Sequence, residues 1–167
     1  MKIKEKIGLT GVMKLQMQTK EEFFQFEKEK QKIFNEFYQE NNWPYKRIFG
    51  KENKKYDCII LIDKRWIKIE EKFRSKDWPD FLVEIIQDTK TNSPGWIYYT
   101  QADWILYGIG KKIYRVEVQK LREFLKFHEN ELDVKISEKG WGTTENLVIP
   151  WSVVIINSIG KIVKEDL

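Results

Sequence analysis

The stretch from Tyr56 to Phe73 constrains this chain more than any other. It consists of two runs, Tyr56-Asp57-Cys58-Ile59-Ile60-Leu61-Ile62 and Arg65-Trp66-Ile67-Lys68-Ile69-Glu70-Glu71-Lys72-Phe73, separated by Asp63-Lys64. Two residues between two β-branched, apolar runs is the spacing of a hairpin. With Asp63 and Lys64 as the central turn residues, Ile62 faces Arg65. Counting back one residue per strand then sets Asp57 opposite Glu70. Directly opposed residues share a face, with Cβ atoms about 4.5–5.5 Å apart. Lys72, two residues past Glu70, joins the same face. The other face collects Cys58, Ile60, Ile62, Ile67, Ile69 and Phe73, a core surface, and parity puts Glu71 there as well. A slip of one residue would exchange the faces, so the register count carries the argument.

The remaining pattern supplies elements to pack on that hairpin. A helix is expected over Lys20 to Gln39, opened by a capping box of Thr19 and Glu22 and showing an apolar stripe of Phe23, Phe26, Ile33, Phe34 and Phe37. Asn41, Asn42 and Trp43-Pro44 end it. Short strands are expected at Arg47–Phe49 and Phe81–Ile86, a loop over Asp88–Gly95 and a short helix at Trp96–Gln101. Trp104–Ile109 and Ile113–Val118 form a second hairpin around Gly110-Lys111, and Gln119–Glu129 a second long helix. Beyond it lie β-like pieces near Val134 and Leu147 and an apolar stretch, Val153–Ile156. No repeat, low-complexity segment or linker interrupts the chain, so its 167 residues read as one domain, with a core over about 20–118 and a C-terminal extension over 119–167.

Composition narrows the setting. The single cysteine, Cys58, cannot form an internal disulfide and sits in an apolar run, which favours a reducing, cytoplasmic environment. No apolar run approaches the roughly 20 residues that cross a bilayer, so no membrane is expected. The net charge of +4 arises from 30 basic and 26 acidic residues. Five of the basic residues are arginine, which suits general phosphate attraction better than bidentate base reading. The single histidine, His128, lies near a helix end and reads as a packing or surface residue, which sets aside a serine–histidine triad and a histidine-based zinc site. Gly108-x-Gly110 and Gly140-Trp141-Gly142 are too short for nucleotide loops.

Two carboxylates with an ammonium beside them have a chemistry. Carboxylate oxygens, a backbone carbonyl and waters suit octahedral Mg²⁺, with Mn²⁺ as a substitute. Such an ion polarises a phosphoryl oxygen and acidifies bound water, and a lysine steadies the charge that builds in the transition state. The plainer reading of Glu70-x-Lys72 is a surface ion pair. Strand context and the opposed Asp57 favour the site.

Asp57, twelve intervening residues and Glu70-Glu71-Lys72, placed on two adjacent strands behind a leading helix, resemble the PD-(D/E)XK nuclease superfamily of restriction endonucleases, Holliday-junction resolvases and phage and viral nucleases. The resemblance spans about Lys20 to Val118. It implies an α/β fold with a restriction-endonuclease-like α-β-β-β-α-β core, a mixed central sheet flanked by helices. It also implies catalytic Asp57, Glu70 and Lys72, with Asp57, Glu70 and the backbone carbonyl of Glu71 holding the metal. Tyr56 stands where the family name has proline. Glu27, Glu84 and Gln87 are second-tier candidates; Glu27 reads first as a solvated flank residue, and Glu84 equally as an exposed strand position. Lys54, Lys55, Arg74, Lys76 and Trp78 are the nucleic-acid-binding candidates, and Trp78 reads first as core. The expected activity is hydrolysis of nucleic-acid phosphodiesters, with DNA as the partner and a homodimer as one way to cut two strands. The alternative is an inactive nucleic-acid-binding protein on the same fold.

Overall fold

The computed structural model describes residues 20–51, 55–139 and 142–165. Thr19 of the expected capping box, the candidate Lys54 and the Gly140-Trp141 pair lie outside the described residues. Helix α1 spans Lys20–Glu40. It stops where Asn42 takes a left-handed conformation, φ 54°. That turn lets the Trp43 N–H reach back to the Tyr38 carbonyl at 2.9 Å, satisfying a carbonyl the helix would leave bare.

Strands β1 (Tyr45–Arg47), β2 (Cys58–Ile62) and β3 (Arg65–Arg74) follow. Asp63 and Lys64 both have positive φ, 47° and 64°, the twist that a two-residue hairpin turn requires. The register runs from Ile62↔Arg65 to Cys58↔Ile69, as the sequence count required. β4 (Asp80–Asp88), β5 (Ser93–Pro94) and the short helix α2 (Trp96–Tyr99) then lead to β6 (Trp104–Ile109), which lies parallel to β3. β7 (Lys112–Glu117) returns antiparallel around Gly110, and α3 (Val118–His128) follows. β8 (Asp133–Lys139), β9 (Gly142–Pro150), α4 (Trp151–Ile156) and β10 (Gly160–Lys164) complete the described chain.

The result is a mixed α/β structure with two sheets. One has six strands in the order β1-β2-β3-β6-β7-β10, and the other has four, β5-β4-β9-β8. α1, β2, β3, α2 and β6 occur in the expected order, while the first strand lies at Tyr45–Arg47 and not at Arg47–Phe49, since Phe49 is 76% exposed past its end. The crossover between parallel β3 and β6 is different. A helix usually fills such a connection, but here β4 and β5 leave for the second sheet and only the four residues of α2 are helical. Segment 119–167 is no appendage, since β10 joins the first sheet and β9 pairs with β4. β10 itself was missed in the sequence, because Gly160-Lys161-Ile162-Val163-Lys164 has little alternation to distinguish it from a tail.

Two cores form on opposite faces of the six-stranded sheet. On one face, Phe34, Phe37 and Tyr38 of α1 pack on Cys58, Ile60, Ile69, Leu106 and Ile113. Gly108 leaves room on this face for the Phe73 ring of the neighbouring strand, since a Cβ there would stand 2.6 Å from a ring carbon of Phe73. On the other face, β4, β9, α3 and α4 bring Phe81, Ile149, Leu121 and Val154 against Ile105 and Tyr107. The α1 stripe is shorter than expected. Phe23 is 51% exposed, because the first turns of the helix carry it past the buried stretch at Phe34–Tyr38.

Two outcomes follow from the α1 face. Phe37→Ala removes a fully buried ring and is expected to cost about 3–5 kcal/mol, read as a lower urea midpoint. Burial pushes the Cys58 thiol up to about 12, so it stays unreactive toward a thiol reagent at neutral pH until the protein unfolds. This raised value contributes stability below the ordinary 9.0 of the thiol. That contribution is lost as pH rises toward 12, because only the unfolded chain can release the proton.

Candidate active site

The site begins where β3 outruns its neighbour. Strand pairing ends at Cys58↔Ile69, while β3 continues to Arg74. Asp57 bridges the end of the ladder. Its backbone N–H donates to the Ile69 carbonyl at 2.8 Å, and its Oδ2 accepts the Glu71 N–H at 2.7 Å. A side chain thus takes over a backbone group that β2 no longer satisfies. Alternate residues of a strand direct both N–H and C=O to the same side. Since the Ile69 C=O and the Glu71 N–H both look toward Asp57, the Glu71 carbonyl looks that way too.

Glu70 and Lys72 lie on the sheet face away from α1. Lys72 Nζ donates to Glu70 Oε1 at 2.6 Å and sits 5.1 Å from the centre of the Trp96 ring. Glu70 is 8% exposed, and its Oε2 lies 3.5 Å from the Thr100 hydroxyl. That hydroxyl also donates to the Lys55 carbonyl at 3.0 Å, tying the loop before Asp57 to the end of α2. Arg122 of α3 fastens the same end, donating to the carbonyls of Ile97 and Thr100.

Electrostatics distinguish this cluster from a surface ion pair. Burial raises the Glu70 carboxyl above its ordinary range; Lys72 opposes the shift and Asp57 adds to it, with Lys30 of α1 close enough to lower it slightly. Burial alone would lower Lys72, but Glu70, then Asp57 and Glu84, outweigh it and hold the ammonium above its usual value. The Lys72 ammonium is thus tied to its carboxylate neighbours. Glu84 on β4 and Tyr99 of α2 belong to the same neighbourhood, since burial, then Glu84, then Glu70 raise the Tyr99 phenol.

Glu71 points the other way, under α1, and is 1% exposed. Its carboxylate accepts from the Tyr38 hydroxyl at 2.6 Å and from Arg47 at 2.5 Å. Arg47 is held in turn by Asn35 Oδ1. Burial raises the Glu71 carboxyl, and Arg47 and Tyr38 oppose the shift. This network anchors the backbone whose N–H holds Asp57.

The structure thus brings together Asp57, Glu70, Lys72 and the Glu71 backbone, and of the second-tier residues Glu84 stands nearby. Glu27 is one link away, paired at 2.9 Å with Lys30. Gln87 is exposed on β4 past the irregularity between Glu84 and Ile86. Among the nucleic-acid candidates, Arg74 is committed to Asp80 at 2.8 Å and to the Trp78 ring at 4.9 Å, so it clamps β3 to β4. Lys76 is exposed, Lys55 is half-buried, and Trp78, 40% exposed, also carries Lys135 at 5.2 Å. Trp96, Tyr99, Thr100 and Arg122 escaped the sequence reading. They meet the site only through the crossover and α3, and no local spacing signals that.

Among the described residues, no group of three or more His, Cys, Asp or Glu side chains is gathered so as to hold a metal ion. The donor set at the site is two carboxylates and one backbone carbonyl. Comparison with protein-family models, with curated proteins and with solved structures finds no match to this chain.

Removing Arg47 leaves the Glu71 charge buried and unpaired. Arg47→Ala is expected to lower stability by about 3–5 kcal/mol in urea unfolding, the range for a broken buried ion pair. Arg47→Ala combined with Glu71→Gln should recover part of that loss.

Proposed function

We propose that this protein hydrolyses phosphodiester bonds of nucleic acid at Asp57, Glu70 and Lys72, with Mg²⁺ or Mn²⁺ as cofactor. The observation that carries this reading is the convergence of two carboxylates and an ammonium where β3 outruns β2. The donor set fits such an ion. Oxygen ligands suit a hard cation, and Mg²⁺ keeps several waters, so two carboxylates and the Glu71 carbonyl suffice. Two neighbouring acids, one of them buried, also favour an added positive charge. The ion supplies Lewis-acid polarisation of the phosphoryl group and a more acidic bound water.

The chain's own residues have separable roles. Asp57 is aimed by the Glu71 N–H, so it needs no reorganisation when substrate arrives. Glu70 is held by Lys72 and backed by Thr100. The Lys72 ammonium stabilises negative charge developing on the phosphoryl oxygens and steadies the attacking water. The segment order α1-β1-β2-β3-α2-β6 supports a likeness to the PD-(D/E)XK core, and the sheet-built crossover is where this chain departs from it. The alternative, binding without turnover, needs the trio to be inert, and no feature of its geometry favours that.

Wild-type protein should cleave a nucleic-acid substrate in Mg²⁺ or Mn²⁺ and not in Ca²⁺, a larger ion and a weaker Lewis acid. Asp57→Ala and Glu70→Ala should abolish cleavage while keeping a cooperative unfolding transition. Lys72→Ala should abolish cleavage but retain metal binding by calorimetry, since an ammonium is not a ligand. Equal cutting by wild type and Asp57→Ala, purified identically, would assign the activity elsewhere.

A further inference from the structure

The face of the sheet that carries Asp57 and Glu70 continues toward the hairpin turn, left uncovered by the described residues. Three successive rows lie on it. Nearest the turn, Leu61 is paired with Trp66; next come Lys46, Ile59 and Lys68, aligned across three strands; then Asp57 and Glu70. Trp66 is 54% exposed, a large aromatic area left in water on a flat strand. Ile59 and Leu61 are only half-buried, and among the described residues neither core includes them or Trp66. Lys46 is exposed. Lys68 lies with its ammonium 5.4 Å from the centre of the Tyr56 ring, so ring and cation present one composite surface. The Asp103 carboxylate accepts the Lys68 backbone N–H at 2.8 Å.

Rows two residues apart on a strand are separated by roughly 6.6 Å, comparable to one nucleotide of an extended single strand. An aromatic row, a cationic row and the carboxylate row therefore follow in the order that a base, its phosphate and the scissile phosphate would need. An unpaired base can lie flat on Trp66, whereas a base in a duplex hides its faces in the stack. Lysines placed between rings attract phosphates without reading sequence.

We infer that this face is a stacking platform for a single-stranded polynucleotide, with Trp66 holding a base while Lys46 and Lys68 hold the phosphates leading to Asp57 and Glu70. This deepens the proposed function and rests on it for direction, not for binding. Anisotropy of labelled oligo-dT, oligo-U and a hairpin duplex, measured in EDTA so that nothing is cut, tests it. Trp66→Ala should weaken binding of single strands roughly tenfold or more, with Trp66→Phe close to wild type and the duplex little changed. Lys46→Gln and Lys68→Gln should each flatten the salt dependence, by about 0.7 in log–log slope. Tight binding of either oligonucleotide supports the platform. Unchanged single-strand affinity in Trp66→Ala, or an equal loss on the duplex, overturns it. So does a Trp66→Ala protein that turns from dimer to monomer in light scattering, since the face would then join two copies. Metal-dependent cleavage assayed separately keeps the two ideas apart. Cleavage that survives with no platform sinks only this inference, and a platform with no cleavage sinks only the nuclease reading.

Discussion

A mismatch in strand length organises the centre of this protein. β3 runs five residues beyond its last pairing with β2, to Arg74, and a strand edge left without partners would expose backbone groups that must be satisfied. The Asp57 carboxylate satisfies the first of them by accepting the Glu71 N–H. That single hydrogen bond closes the ladder and fixes a carboxylate at its open end. It also leaves the next carbonyl, that of Glu71, directed into the same gap. Structural necessity and the proposed chemistry therefore share one contact.

Adjacent glutamates show how strongly strand parity assigns roles. Glu70 and Glu71 are chemically identical and both buried, yet they serve opposite faces of the sheet. Glu71 has a tyrosine hydroxyl and a guanidinium, both fixed by α1 and β1, and its desolvation is offset by hydrogen bonds from each. Glu70 has one ammonium and a distant hydroxyl, and a second acid close by raises its proton affinity. Glu71 is held by two donors and Glu70 by one ion pair, while burial and the nearby Asp57 raise both carboxyls.

Much of this was legible because the decisive information is local. The two-residue turn, the alternation of Cys58, Ile60 and Ile62 against Ile67 and Ile69, and the parity of Glu70 and Glu71 lie within eighteen consecutive residues. Hairpin register depends on little else. What was not legible is non-local. Phe81–Ile86 reads as a strand, but nothing in it says that it joins β9, some sixty residues later in the chain, instead of the first sheet. The apolar stripe of α1 does not reveal where the sheet beneath it ends, so Phe23 looked buried. Arg74 looked available because Asp80, its partner, is a loop away and faces it only once β4 folds back.

The unexpected second sheet also explains the asymmetry around the proposed site. On the Lys72 side, the crossover through β4 and α2 brings Trp96, Thr100 and Glu84 into contact range. Water is displaced there and the Lys72 ammonium is locked to Glu70. On the Asp57 side, no other described element covers β1 and β2, so Ile59 and Leu61 are only half-buried and Trp66 is left largely in water at a hydrophobic cost that packing would have removed. A fold with a long crossover helix in place of β4 and β5 would have had a rigid cylinder to lay across the sheet. By diverting that segment sideways into a second sheet, the described chain covers half the face and leaves the other half open. That open half is where the inferred platform lies, beside Asp57 and Glu70.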